Sequence, residues 1–151
     1  MKKSLLICAV FVFTLTVNLK SQTKEDSVAI KQAILNYIEG WYAGDVERMD
    51  KALHPDLTKR QPVTLPSGEI ITNQITKNTM LAYTKMGAGK QQADGNIKNK
   101  VKILNIYENI ATAMALSKDY MDYCHLSLYN GEWKIINVLW VRNKDAKKGQ
   151  Q

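Results

Sequence analysis

Asp122 and Asn137 are the polar residues best placed to do chemistry, because each interrupts a run that otherwise reads as packed core. A carboxylate removed from water can anchor a polar group of a ligand or take a proton from one. Burial raises its pKa unless a lysine or backbone donors restore the charge. As a general base acting on a carbonyl compound, Asp122 also needs a donor for the developing oxyanion, and Tyr120 or Tyr37 can supply one. Tyr37, Trp41 and Tyr83 offer aromatic walls of the kind small-molecule pockets use. Plain core packing accounts equally well for Tyr37 and Trp41.

Other chemistries find little support. Gly87-Ala88-Gly89-Lys90 is similar to part of a phosphate loop, but Thr84 stands where the first glycine is needed and Gln91 replaces the Ser or Thr that meets magnesium. The two histidines, His54 and His125, have no second histidine or cysteine at helical spacing, so no metal is expected. No G-x-S-x-G elbow points to a hydrolase. No cofactor is expected.

The elements that must position these residues can be read from periodicity. From Ser27, which can cap a helix, Ile30, Ile34, Tyr37, Ile38 and Trp41 recur at three and four and form one apolar stripe. Gly44 closes that helix. Asp45 can cap a second, short one with Met49, Ala52 and Leu53 inward, which Pro55 stops. The prolines at 62 and 66 predict a short or edge strand over Leu57–Leu65. Pro66-Ser67-Gly68 is a turn, with Glu69–Thr72 returning. Thr76 caps a third helix carrying Met80 and Tyr83, and Gly87–Gly95 reads as a mobile loop. Four apolar, β-branched runs follow: Val101–Tyr107, Ile110–Ser117, Tyr120–Tyr129 and Glu132–Arg142. Helices first and a meander afterwards predict an α+β fold, with N-terminal helices packed on a curved antiparallel sheet.

Asn130-Gly131 is a strong two-residue hairpin loop and predicts a register. Tyr129 faces Glu132, Leu128 faces Trp133, Leu126 faces Ile135, Cys124 faces Asn137, Asp122 faces Leu139, and Tyr120 faces Val141. Period two puts these on one face, turned to the helices. The other face then carries Ile136, Val138 and Trp140. Such an apolar stripe needs a cover, and a second copy of the chain is the simplest one.

Before all this, Met1-Lys2-Lys3 and the apolar run Leu5–Val17 match the n- and h-regions of a secretory signal, with cleavage expected after Ser21. The run is shorter than the ~20 residues a membrane span needs. Residues 1–21 are thus expected to be a signal peptide, 22–27 a linker, 28–142 one domain and 143–151 a polar tail. The mature protein is expected to be periplasmic or secreted. Losing Lys2, Lys3 and Lys20 takes the formal charge from +7 to +4, too mild and too scattered to imply nucleic acid. Cys124 alone remains of the two cysteines, which precludes an intrachain disulfide.

Four segments together carry a family resemblance: Trp41-Tyr42-Ala43-Gly44-Asp45, Ala52-Leu53-His54-Pro55, Asp122-Tyr123-Cys124-His125-Leu126 and Gly131-Glu132-Trp133-Lys134-Ile135. Over Ser27 to Arg142 the chain resembles the nuclear transport factor 2-like superfamily, in its putative lumazine-binding branch. The resemblance implies a cone, a bent cystatin-like sheet around helices with a pocket at the open end, and commonly a homodimer through the sheet. Some members are isomerases, dehydratases or cyclases using a pocket acid or histidine; by position Asp122 is the residue to compare with those acids. No complete acid–base pair of those enzymes is present. The leading expectation is an exported, non-catalytic small-molecule-binding domain, with Tyr37, Trp41, Tyr83, Tyr120, Asp122 and Asn137 at the ligand. The alternatives are a small isomerase- or dehydratase-like enzyme with Asp122 as base, and an interaction module whose cone is filled.

Overall fold

The computed structural model describes residues 19–90 and 99–144. The run Leu5–Val17 and residues 91–95 of the expected Gly87–Gly95 loop lie outside the described residues. Among the described residues nine elements follow one another: helices α1 (Leu19–Ala43) and α2 (Val46–Ala52), strands β1 (Leu53–Thr64) and β2 (Ile70–Thr76), helix α3 (Lys77–Lys85), then β3 (Lys100–Tyr107), β4 (Ile110–Leu116), β5 (Tyr120–Tyr129) and β6 (Glu132–Arg142). The strands form one six-stranded sheet in the order β2-β1-β6-β5-β4-β3.

Helix α1 buries Ile30, Ala33, Ile34, Tyr37, Ile38 and Tyr42, the stripe its spacing predicts, displaced slightly so that Tyr42 is buried and Trp41 half-buried. The helix starts ahead of Ser27, so the 22–27 stretch expected as a linker is helical. Helix formers at 24 and 25 favour this, and Asp26 tethers the turn by accepting a hydrogen bond from Trp133 Nε1 at 2.9 Å. Gly44, at φ 65°, ends the helix: the Asp45 amide bonds back to the Gly40 carbonyl at 2.9 Å. The Asp45 carboxylate then caps α2 through the Arg48 amide at 3.0 Å.

Three expectations for the first strands are corrected. Leu53 is not the last inward residue of α2; it is extended (φ −100°, ψ 135°) and opens β1. β1 is neither short nor an edge. It runs twelve residues between two neighbours, and its prolines fall where they cost little. Pro55 lies within the register break between Leu53 and Thr58, and Pro62 lies beyond Arg60, the last β1 residue paired with β6. Finally, the sheet is mixed, because β1 runs parallel to β6 while every other neighbouring pair is antiparallel. The α1–α2 turn brings the chain back beside the final strand, so β1 enters the sheet pointing the same way as β6.

The β5–β6 hairpin turns at Asn130 (φ 50°) and Gly131 (φ 79°), the left-handed pair that a two-residue loop demands. Tyr129, Leu128 and Leu126 meet Glu132, Trp133 and Ile135 as the sequence predicts. A bulge at Ile136 then moves β6 by one residue. His125 pairs with Asn137, Cys124 with Val138, Asp122 with Trp140, and Tyr120 with Arg142. The extra residue lets Trp133, Ile135, Val138 and Trp140 all face the helices, and it turns Asn137 and Leu139 outward. Val138 is 0% and Trp140 9% exposed, whereas Leu139 is 50% exposed. The expected outer stripe of Ile136, Val138 and Trp140 therefore does not exist. On β5 and β6, Tyr123, Leu139 and Val141 are the exposed apolar residues near the centre of that face.

The core lies between α1, α2 and the inner face of the sheet, around Ile30, Ile34, Met49, Leu53, Leu126, Ile135 and Val138. On β4 the inward positions are Ala111, Ala113 and Ala115, all buried. Asn143, assigned by sequence to the tail, is tied down: its amide bonds the Asp119 carbonyl at 2.8 Å and its side chain bonds the Ser117 carbonyl at 3.0 Å.

Candidate functional site

Helical spacing puts Tyr37, Ile38, Trp41 and Tyr42 on one side of α1, while strand alternation turns Lys59 of β1, Asp122 of β5 and Trp140 of β6 toward them. With Ile75, Met80, Tyr83, Ser117 and Tyr120 they line a cavity of about 170 Å³. Tyr83 is 43% exposed, so it marks the opening to solvent.

At the inner end lies a buried polar cluster. Lys59 and Asp122 are 5% and 2% exposed, and Lys59 Nζ donates to Asp122 Oδ1 at 2.7 Å. The Tyr37 hydroxyl donates to the same oxygen at 3.1 Å and also contacts Lys59 Nζ. The ammonium is ringed by aromatic faces, 4.7 Å from the Trp140 centroid, 5.1 Å from Tyr37 and 5.8 Å from Tyr120. Tyr120 packs edge-on against Trp41 (6.5 Å) and Trp140 (5.2 Å). A second polar group closes another part of the wall: the Tyr42 hydroxyl lies 3.2 Å from Ser117 Oγ and 3.0 Å from Asp119 Oδ2, and accepts from the Asp119 amide at 3.2 Å.

These contacts set the electrostatics. Burial pushes the Tyr37 hydroxyl well above its ordinary pKa, and the nearby Asp122 charge pushes it further. Burial also raises Tyr42, to about 12, against hydrogen bonds with Ser117 and the Asp119 backbone that lower it. The buried Cys124 thiol is raised, first by desolvation and then by Asp122, with Lys59 opposing. Both Trp41 Nε1–H and Trp140 Nε1–H are buried with no acceptor among the described residues.

Of the residues singled out by sequence, Tyr37, Trp41, Tyr83, Tyr120 and Asp122 meet at this cavity. Asn137 does not. The bulge puts it on the outer face, where its side chain accepts from Arg60 at 2.7 Å and lies 3.2 Å from His125 Nδ1. Sequence reasoning missed Lys59, Tyr42, Ser117, Ile75 and Met80, and it assigned Trp140 to the wrong face. Lys59 left one usable signal: it is two residues from Leu57, so an inward Leu57 implies an inward lysine. His54 is buried away from the site, its Nδ1 accepting from the Asp56 amide at 3.0 Å and its ring packed edge-on against Tyr129 at 4.4 Å. Among the described residues no group of His, Cys, Asp or Glu is placed to hold a metal ion.

A bent sheet wrapped on N-terminal helices, with a side pocket between them, is the NTF2-like architecture. Solved structures bear this out. An NTF2-like protein of unknown function from Shewanella baltica OS155 superposes with a TM-score of 0.63 at 15% identity, covering 80% of this chain and 95% of that one. Another from Methylobacillus flagellatus KT gives 0.61 at 20% identity, covering 79% and 93%. A "Putative Scytalone Dehydratase" from Novosphingobium aromaticivorans DSM 12444 gives 0.53 at 12% identity, covering 83% and 89%. At these identities the likeness is one of fold. The family model described as "Putative lumazine-binding" matches residues 25–141, and the chain belongs to that family. No curated protein sequence matches it.

Proposed function

We propose that this protein is an exported domain that binds a small, partly apolar molecule in the cavity between α1, α3 and the sheet, without transforming it. The observation that carries this reading is the cavity's make-up: about 170 Å³, walled by Trp41, Tyr83, Tyr120 and Trp140, with one internally neutralised ion pair at its inner end. Pockets for small ligands combine apolar walls with a few fixed polar groups in this way. The family description supports a small-molecule ligand and makes lumazine the first compound to try. The cavity also argues against a filled cone that serves only for interaction. The test is extraction of protein recovered from its native host, followed by mass spectrometry for a small molecule released on denaturation. The expected result is one such compound in stoichiometric amount. Release of nothing, together with no binding of lumazine or related ring compounds, would sink the proposal.

One contact favours an enzyme instead: a buried acid lies 3.1 Å from a tyrosine hydroxyl, the pairing that a proton-transfer site uses. Lys59 speaks against Asp122 as the base. Asp122 Oδ1 already accepts from both an ammonium and a phenol, which lowers the carboxylate's basicity. Turnover of a ketone or hydroxy-ketone substrate that is lost in Asp122→Asn, with the fold retained, would favour the enzyme.

Export rests on the Lys-Lys start and the Leu5–Val17 run, and N-terminal sequencing of host-recovered protein is expected to begin near Gln22. Among the described residues no helix is long and apolar enough to cross a membrane. We also propose a second copy over the outer sheet face at Tyr123, Leu139 and Val141, which are 48%, 50% and 44% exposed.

A further inference from the structure

The two ends of the sheet are built differently. Among the described residues its edges are β3 and β2. β3 carries Lys100 and Lys102 and a register break between Ile103 and Asn105, features that guard an edge against further strands. β2 has no such guard. From Ile70 to Thr76 it holds no charge and no proline, and every residue but Ile75 is exposed. Its far end also lacks support. β1 pairs with β6 only as far as Arg60 but with β2 out to Thr64. Residues 61–64 and 70–73 thus form a two-stranded ribbon, which is marginal by itself in water. Ile70 and Ile71 stand on it 68% and 42% exposed.

The bonds within the hairpin fix which backbone groups β2 can offer. The Leu65 amide bonds the Glu69 carbonyl at 2.8 Å. Alternation from that pair spends the groups of Ile71, Asn73 and Ile75 on β1 and turns those of Ile70, Thr72, Gln74 and Thr76 to the open edge. A second β2, laid antiparallel about a two-fold axis normal to the sheet, must keep like faces together, so the axis passes through a residue. With the axis at Asn73, Ile71 lies opposite Ile75 of the other copy, and Thr72 lies opposite Gln74 with their open groups facing. Glu69 falls opposite Lys77 rather than a like charge, although Lys77 already holds Asp50 at 2.8 Å. Moving the axis one residue either way sets Asn73 against Ile71 or Ile75 instead.

We propose that β2 pairs with β2 of a second copy, antiparallel about Asn73, so that the two sheets run on as one. Ile75 lines the cavity, and Ile71 of the second copy comes to lie beside it on the same face. This contact is separate from the one over Tyr123, Leu139 and Val141 and does not depend on a ligand. It adds backbone bonds and few buried side chains, so it forms at higher concentration than a contact between sheet faces.

The test is disulfide trapping of cysteine variants in concentrated protein under mild oxidation. Cys124 is buried, and the chain without an added cysteine gives the background. Asn73→Cys sets two thiols face to face in a pair not bonded through the backbone, within disulfide reach. Ile71→Cys leaves its thiols four residues apart, about 13 Å along the strands and out of reach. Asn73→Cys is expected to give at least about five times the crosslinked dimer of Ile71→Cys, Thr72→Cys or Gln74→Cys. The same contrast is expected with Tyr123→Glu added, which removes the outer-face contact. Adding Thr72→Lys to Asn73→Cys is expected to remove most of the crosslink, because the two lysines meet diagonally across the axis. Strongest crosslinking at 72 or 74 would overturn the axis at Asn73. Equal crosslinking at all four positions, or none at any, would overturn the pairing itself. Loss of the crosslink with Tyr123→Glu, in a chain that still folds, would overturn its independence of the outer face.

Discussion

Breaking the Lys59–Asp122 pair from one side should cost far more than removing it altogether. The partners are almost wholly buried, their side chains 7% and 3% exposed, and they lie 2.7 Å apart. At an effective dielectric of about 20, two unit charges at that distance attract by about 6 kcal/mol. Much of that offsets the loss of hydration that both suffered on burial. Asp122→Asn leaves the ammonium of Lys59 buried among Tyr37, Tyr120 and Trp140 with no counter-charge, and should destabilise the fold by about 3–5 kcal/mol. Lys59→Met leaves the carboxylate with only the Tyr37 hydroxyl and should cost a similar amount. The double variant buries no charge and should lie within about 2 kcal/mol of wild type. Urea unfolding at unchanged m measures all three, and the cycle should return a coupling of at least about 3 kcal/mol. If Asp122→Asn falls within about 1 kcal/mol of wild type and the two effects simply add, the pair is solvated and the electrostatic argument fails.

Three further outcomes follow from other parts of the fold. A Cβ on Gly89 would lie 2.2 Å from the Trp41 carbonyl oxygen and 2.7 Å from Trp41 Cδ1, so Gly89→Ala should cost about 1–3 kcal/mol and shift Trp41 fluorescence. An unchanged emission spectrum and midpoint would contradict that packing. Tyr37 and Tyr42 have raised pKa values in the folded state, so the unfolded chain loses those protons first. Their contribution is intact below pH 10 and falls as the pH climbs from 10 toward 12. Alkaline titration should show two of the seven tyrosines ionising only as the protein unfolds. Tyr123→Glu places a charge between Leu139 and Met114 on the outer face and should convert dimers to monomers in sedimentation. A wild-type chain that is already monomeric at high concentration would refute the second copy.

The fold was legible where a single local signal decides the geometry. The three-and-four spacing from Ile30 to Trp41 identified the inner face of α1, and Asn130-Gly131 identified the hairpin and its first pairings. Counting in twos from that turn also placed Asp122 correctly, because β5 carries no extra residue in that stretch. The same count failed on β6 one residue after Ile135. Ile136, Asn137, Val138 and Leu139 give either parity an apolar residue to bury, so alternation alone does not reveal a bulge. What decides it is three-dimensional. Val138 and Trp140 fill the space beneath α1, and the Asn137 amide finds Arg60 and His125 outside. Lys59 stayed hidden for a related reason. Its one local signal, alternation with Leu57, says only that it points inward, and its partner is 63 residues away on another strand. The prolines misled in the opposite direction: Pro62 lies in an interior strand, but beyond the residues that β6 pairs, and Pro66 falls after the strand has ended.

The central claim is that the cavity beside Trp41, Tyr120 and Trp140 takes a small molecule. The most direct test is a crystal structure of the protein isolated from its own host, without added ligands. The account predicts density for a small molecule against those rings, with an intact Lys59–Asp122 pair behind it. Side chains swung inward to close the cavity, with no density for a bound molecule, would contradict it.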